Sequence, residues 1–103
     1  MYEWYKSFAV KALKYKLGMG VAEEELKQAL PPSLQTHAIE IADAIFNEIV
    51  LVEGKSCTCL LCARPNLTVR GLYLHLVRVH MEELQRILSV EVESIIARYK
   101  KGI

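Results

Sequence analysis

Two cysteines and two histidines in the second half of the chain have a spacing suited to binding one metal ion. Cys59 and Cys62 are separated by two residues. Twelve residues follow before His75, and four more separate it from His80. Two thiolates on a tight knuckle and two imidazoles on a helix can complete a tetrahedron around one ion. Zinc suits this sulfur and nitrogen donor set, and four protein ligands leave no open coordination position, so the pattern predicts one structural Zn²⁺.

The segment 55–81 resembles a C₂H₂-type zinc finger with the ββα fold. Both pair spacings and the central twelve residues match that family, and Leu72 stands where the family has a core leucine. Two other core positions differ: Cys57 replaces the aromatic residue before the first ligand, and Asn66 replaces a large apolar residue after the second. The resemblance implies a β-hairpin followed by a helix that carries both histidines. Because the segment's own core is incomplete, we expect it to pack against the rest of the chain.

Cys57 is a fifth candidate ligand, so the composition of the site is left open. The usual zinc-ligand spacings favour Cys59, Cys62, His75 and His80. A site that includes Cys57 is an alternative, and so is a site without metal, in which the thiols are small buried apolar groups. The favoured set also requires a distorted helix end, because His75 and His80 stand about 140° apart around an ideal helix.

The composition excludes several classes of protein. The chain has 103 residues, of which 52% are hydrophobic and 24% charged, as is typical of a globular domain. Its most apolar stretch, 38–52, contains acidic and amide residues, and the N-terminus lacks the pattern of a signal peptide, so we predict no membrane segment. Three cysteines within six residues are not a disulfide framework and indicate a reducing intracellular compartment, the cytoplasm or nucleus.

Charge is distributed unevenly along the chain. Residues 1–20 carry four lysines and one glutamate, residues 21–53 carry one lysine and seven acidic residues, and residues 54–103 carry eight basic and four acidic residues. No acidic residue lies between positions 55 and 80. Such segregation is typical of a surface that binds nucleic-acid phosphates. The predicted phosphate contacts are Lys55, Arg64, Arg70 and Arg78.

The resemblance also implies which helix positions would read DNA bases. In DNA-binding members of the family, a few residues ahead of the first histidine contact the major groove. These positions fall on Thr68, Gly71 and Leu74, with Arg70 in an accessory place, and only Arg70 has the bidentate fork of a strong base reader. Because one finger reads about three base pairs, DNA binding requires a dimer or a second basic element, such as the lysine-bearing first helix.

Apolar periodicity predicts a mostly helical α+β protein, in which a small helical domain holds the embedded ββα finger. Two glycines after position 17 and the Pro31–Pro32 pair delimit the helices that precede the finger. Ser89 is the predicted N-cap of a separate last helix. The predicted ranges are 2–17, 21–30 and 33–50 for the three helices of the N-terminal region (1–54), 55–81 for the finger, and 82–103 for an extension that packs on the same domain.

Two functions are compatible with these features. The first is a small nucleic-acid-binding regulator, with DNA as the favoured partner. The second is a protein-interaction or dimerisation module, in which zinc holds a helix that presents Tyr73 and Leu74 to a partner. The wide apolar face of residues 33–50 predicts a homodimer. We predict no enzyme, because the sequence shows no nucleophile with a paired base, no phosphate loop and no open metal site.

Overall fold

Helices form most of this structure, a computed structural model that describes residues 2–101. A three-stranded antiparallel sheet lies between the third and fourth α-helices, so the predicted α+β fold is confirmed. The elements are α1 (Trp4–Lys16), α2 (Glu23–Gln28), a 3₁₀ helix (Pro32–His37), α3 (Ala38–Ile49), β1 (Val50–Glu53), β2 (Ser56–Cys59), β3 (Arg64–Leu67), α4 (Val69–Val79) and α5 (Met81–Lys101).

The buried apolar side chains form one continuous cluster that spans the N-terminal helices, the sheet and both C-terminal helices. Leu72 and Leu76 of α4 are fully buried in this cluster. The segment that resembles a finger therefore lacks a separate core and shares that of the flanking helices. Large buried side chains from those helices include Phe8 and Leu13 of α1, Ile41 and Ile45 of α3, and Leu88 and Ile95 of α5.

The helix predicted over 33–50 differs from the structure at both ends. Its first turns form the 3₁₀ helix, which has Pro32 at its first position and ends at His37. At its other end, Val50 has left the helix and begins β1, a strand that the sequence analysis did not predict. Val50 and Val52 are β-branched and pair with β2, and this pairing favours an extended backbone over a further helical turn.

The prediction that Ser89 caps a separate last helix is wrong, because α5 continues through it to Lys101. Leu84, Leu88, Val92 and Ile95 are buried at successive spacings of four, four and three residues. The apolar face therefore stays in register across Ser89, and packing outweighs the weak helix propensity of serine. Among the helices of residues 2–101, none combines the length and the apolar character that a membrane-spanning segment requires.

The sheet has the strand order β1–β2–β3, and both of its connections shape the candidate site. A two-residue turn joins β1 to β2, and Gly54 there has a φ of +62°, which glycine adopts without steric cost. Between β2 and β3, Cys57 pairs with Leu67 but Cys59 pairs with Arg64, so β3 contains one extra residue. This bulge and the loop after β2 set the direction of the two predicted cysteine ligands.

Candidate metal centre

The four residues that the spacing selects converge on one point in the structure. Cys59 ends β2, Cys62 lies in the loop that follows, His75 lies on α4, and His80 directly follows α4. Their candidate ligand atoms all lie within 4.8 Å of one another. Atoms bound tetrahedrally to one zinc ion at about 2.0–2.3 Å stand about 3.3–3.8 Å apart. The arrangement therefore fits one metal ion.

Local backbone geometry directs the two cysteines toward the candidate metal centre. The N–H of Leu60 donates to the carbonyl oxygen of Ile49 at 2.9 Å, so the loop after β2 is tied to the end of α3. Ala63 then has a φ of +63°, which reverses the chain into β3. Cys59 is fully buried and Cys62 is exposed. One side of the centre is therefore covered by the protein and the other faces solvent.

The expected distortion of the helix end is present at His80. The helix α4 ends at Val79 and α5 begins at Met81, whereas His80 has φ and ψ of −115° and 18°. This interruption turns the second imidazole toward the first, and the two ring centres lie 4.9 Å apart. Both histidines can therefore face one ion although they are five positions apart.

The imidazole of His80 gives the strongest indication that the centre binds a metal ion. It is only 5% exposed, and its Nδ1–H donates to Oε1 of Glu83 at 2.6 Å. Its Nε2 is buried and has no hydrogen-bond partner within residues 2–101. A buried nitrogen without a partner is unfavourable by about 1–3 kcal/mol. A metal ion would take the Nε2 lone pair, so the donor set fits a bound cation.

Burial and neighbouring groups shift the pKa values of the candidate ligands in different directions. Burial raises the pKa of Cys59, whereas interaction with His80 lowers the pKa of the exposed Cys62 thiol. Burial lowers the pKa of His75. Burial also acts to lower the pKa of His80, but the hydrogen bond to Glu83 and the nearby Cys62 thiol outweigh it and the pKa is raised. Because metal binding requires thiolates and neutral imidazoles, a cation must displace protons from this site.

Cys57 does not belong to the converging set. It is 2% exposed and lies two positions before Cys59, on the same face of β2. The ligand cluster consists of Cys59, Cys62, His75 and His80 without it. The structure thus favours the four-ligand alternative, with Cys57 as a small apolar group in the shared core.

The four predicted phosphate contacts are all exposed, but they do not form one cluster. Arg64 and Arg78 line the same shallow concavity of about 320 Å³, together with apolar side chains and His75. Lys55 lies in the β1–β2 turn and Arg70 in the first turn of α4, outside this concavity. Only the two arginines are therefore brought together.

The base-reading positions implied by the resemblance are poorly equipped for that role. The hydroxyl of Thr68 accepts a hydrogen bond from the N–H of Gly71 at 3.0 Å and so caps α4. Gly71 and Leu74 line the concavity with no polar side-chain group. Arg70 alone offers a polar fork in this part of the helix. The sequence analysis also missed Glu83, although an acidic residue three positions after a ligand histidine was a usable signal.

No known protein family, no curated protein and no solved structure matches this chain. The cluster of two cysteines and two histidines beside a hairpin and a helix is compatible with the finger resemblance, and no family match confirms it. The case for a metal centre therefore depends on the converging donor atoms and on the unpartnered nitrogen of His80.

Proposed function

We propose that this protein binds one structural zinc ion and contacts nucleic-acid phosphates through the basic surface of residues 55–80, as a small DNA-binding regulator. The observation that carries the second part is the concavity with two arginines and no carboxylate in its lining. The proposal includes a reducing compartment, the cytoplasm or nucleus, because the ligand thiols must stay reduced. It includes no catalytic role, because four protein ligands leave the ion no open position.

Zinc is the proposed metal because two sulfur and two nitrogen donors suit it and because it has no redox chemistry that would oxidise the thiols. The test is elemental analysis of protein purified without added metal. We expect one zinc per chain, with a binding free energy of about 10 kcal/mol at neutral pH. Protein that is folded, fully reduced and free of zinc would contradict the assignment.

The availability of the basic groups supports phosphate binding. Lys16 pairs with Asp43, and Arg98 pairs with Glu40. By contrast, none of Lys55, Arg64, Arg70 and Arg78 forms an ion pair with another group in the described part of the chain. Their charges are therefore not compensated by these carboxylates, and an external polyanion can neutralise them.

A second basic surface lies on α1, which contacts α4. The ammonium group of Lys14 on α1 lies 5.6 Å from the ring centre of Tyr73 on α4. Lys6, Lys11 and Lys14 line one concave surface, which two carboxylates, those of Glu3 and Glu25, also line. We propose this concave surface as the additional basic element that a single finger needs. Its three lysines and two glutamates give it a net charge of only +1.

Salt dependence is the direct test of phosphate binding. Binding to generic duplex DNA is expected to weaken steeply as salt rises, and Arg64→Gln and Arg78→Gln should each reduce the log–log slope by about one. Arg86→Gln is the matched control, because Arg86 is exposed but lines a groove with two carboxylates, those of Glu48 and Glu83. If the protein lacking all four basic groups keeps its metal and fold yet binds DNA as the parent does, nucleic-acid binding is excluded.

A protein-interaction module is the second candidate, and the edge strand β1 favours it. Leu51 and Val52 are 45% and 51% exposed, on a strand that pairs only with β2 in the sheet. The face of residues 33–50 that motivated the homodimer prediction is largely buried within the chain. A dimer therefore has to use another surface, and it stays a prediction. Sedimentation of the parent and of Leu51→Lys separates a β1-mediated dimer from a monomer.

A further inference from the structure

Glu83 lies at the junction between the candidate metal centre and the long helix α5. It is in the first turn of α5, three residues after the ligand histidine His80. Its Oε1 accepts a hydrogen bond from Nδ1 of that histidine at 2.6 Å. The imidazole is 5% exposed, so water has little access to compete for this hydrogen bond.

This hydrogen bond selects one tautomer of His80. A carboxylate can only accept, so Nδ1 must carry the proton and the lone pair of neutral imidazole is then on Nε2. That atom is buried, has no hydrogen-bond partner within the described residues, and belongs to the cluster of atoms within 4.8 Å of one another. The nitrogen left free is therefore the one that faces the other candidate ligands.

Packing of α5 fixes the backbone position from which Glu83 reaches His80. The N–H of Leu84 donates to the carbonyl oxygen of His80 at 2.9 Å, so the first turn of α5 closes directly on the histidine. Leu84 and Leu88 are fully buried and hold this turn against the core. His75 has no comparable support, since no carboxylate in the described structure bonds to its ring.

We propose that Glu83 is a positioning residue of the metal centre, whose carboxylate holds His80 in the tautomer and ring orientation that present Nε2 to the ion. Hydrogen bonds of this kind commonly change metal affinity by about 10–100-fold. The inference rests on the metal part of the proposed function and is independent of nucleic-acid binding. It also predicts that the two histidines contribute unequally to the affinity.

The test is a titration with Co²⁺ in competition with a chelator, followed by the absorption of the cysteine-bound ion. Glu83→Ala is expected to lower the apparent affinity about 10–100-fold. Glu83→Gln keeps a neutral acceptor and should fall between Glu83→Ala and the parent. Glu82→Ala is the matched control, because Glu82 is an exposed acidic residue in the same turn of α5, and it should leave the affinity close to that of the parent.

Imidazole ¹⁵N NMR of the zinc-loaded protein reports on the Nδ1 proton of His80 itself. The parent should show His80 with a protonated Nδ1 in slow exchange, and Glu83→Ala should lose that slow exchange. If Glu83→Ala does not fold, Glu83→Gln decides the question. Parent-like affinity in the Glu83 variants, or an equal loss in Glu82→Ala, would overturn this inference alone, whereas a parent that binds neither Co²⁺ nor Zn²⁺ would remove the metal centre as well.

Discussion

Asn66 and Cys57, the two residues that depart from the finger pattern, have separate physical explanations. Asn66 has a φ of +59° at the bulge in β3. Asparagine adopts this left-handed backbone more readily than a large apolar residue does, so the backbone accounts for the exchange. Cys57 is buried in the core that the sheet shares with the helices, where a small apolar side chain fits and an aromatic ring would need more room.

Separate removal of the Cys57 and Cys62 thiols distinguishes a core residue from a metal ligand. We expect Cys57→Ala to retain one metal ion per chain, because its sulfur is outside the converging set. Cys62→Ala should lose tightly bound metal, because only three ligands would be left. The measurement is metal content after gel filtration in the presence of a weak chelator. Equal loss in both variants would place Cys57 in the coordination shell.

At the scale of elements, the start of α4 depends on one side chain. The Thr68 hydroxyl accepts from the N–H of Gly71 at 3.0 Å and satisfies one of the free donors at the helix N-terminus. We expect Thr68→Ala to reduce the free energy of unfolding by about 1 kcal/mol, whereas Thr68→Ser, which keeps the acceptor, should lose much less. Urea unfolding of the zinc-loaded proteins gives both values. An equal loss in the two variants would show that the methyl group, not the cap, matters.

We expect part of the fold, around the corner between α4 and α5, to depend on the proposed metal ion. His80 lies between the two helices and has a non-helical backbone. We expect chelation to release amide protection in β2, β3 and this corner, while α1 and α3 stay protected, because their buried side chains pack on one another and on α5. Hydrogen exchange followed by mass spectrometry measures this difference. Uniform loss of protection along the chain would mean that the whole core depends on the ion.

At the scale of the whole molecule, a polar cluster ties the start of α3 to the end of α5. Nε2 of His37 lies 2.7 Å from the Tyr99 hydroxyl oxygen, and its Nδ1 lies 3.2 Å from Oε1 of Glu40. Arg98 donates to the other oxygen of Glu40. The sequence analysis gave His37 no role, because Arg98 and Tyr99 are about sixty positions away and no local pattern connects them.

We expect the contribution of the Glu40 hydrogen bonds to the free energy of unfolding to decrease at acidic pH. Hydrogen bonds from Arg98 and then His37 hold the pKa of Glu40 below its ordinary value of 4.5. A lowered carboxyl pKa stabilises the fold above the unfolded-state value, and the contribution is lost as the pH falls through the folded-state value. Arg98→Gln should therefore lower the free energy of unfolding at pH 7 by less than about 1 kcal/mol, since the pair is exposed, and have a smaller effect at pH 3.

The measurement is urea unfolding of parent and variant at both pH values. A chelator is present throughout, so that pH-dependent release of metal does not contribute to the difference between the two proteins. Arg86→Gln serves as the control, because Arg86 forms no ion pair with another described residue. A loss for Arg98→Gln that is the same at pH 7 and pH 3 would contradict the assignment to Glu40.

The sequence alone determined the mostly helical fold and the four residues that converge on one point, because apolar periodicity and ligand spacing are local properties of the chain. Only the tertiary structure decided the pairing of β1 and the continuity of α5 through Ser89. It also decided that Arg64 and Arg78 line the same concavity and that Nε2 of His80 has no hydrogen-bond partner among the described residues. These features depend on which surfaces pack against one another and on which polar atoms remain accessible to water, and neither is a local property of the sequence. Strand pairing and burial outweigh local preference where the two compete, as they do at Val50 and at Ser89.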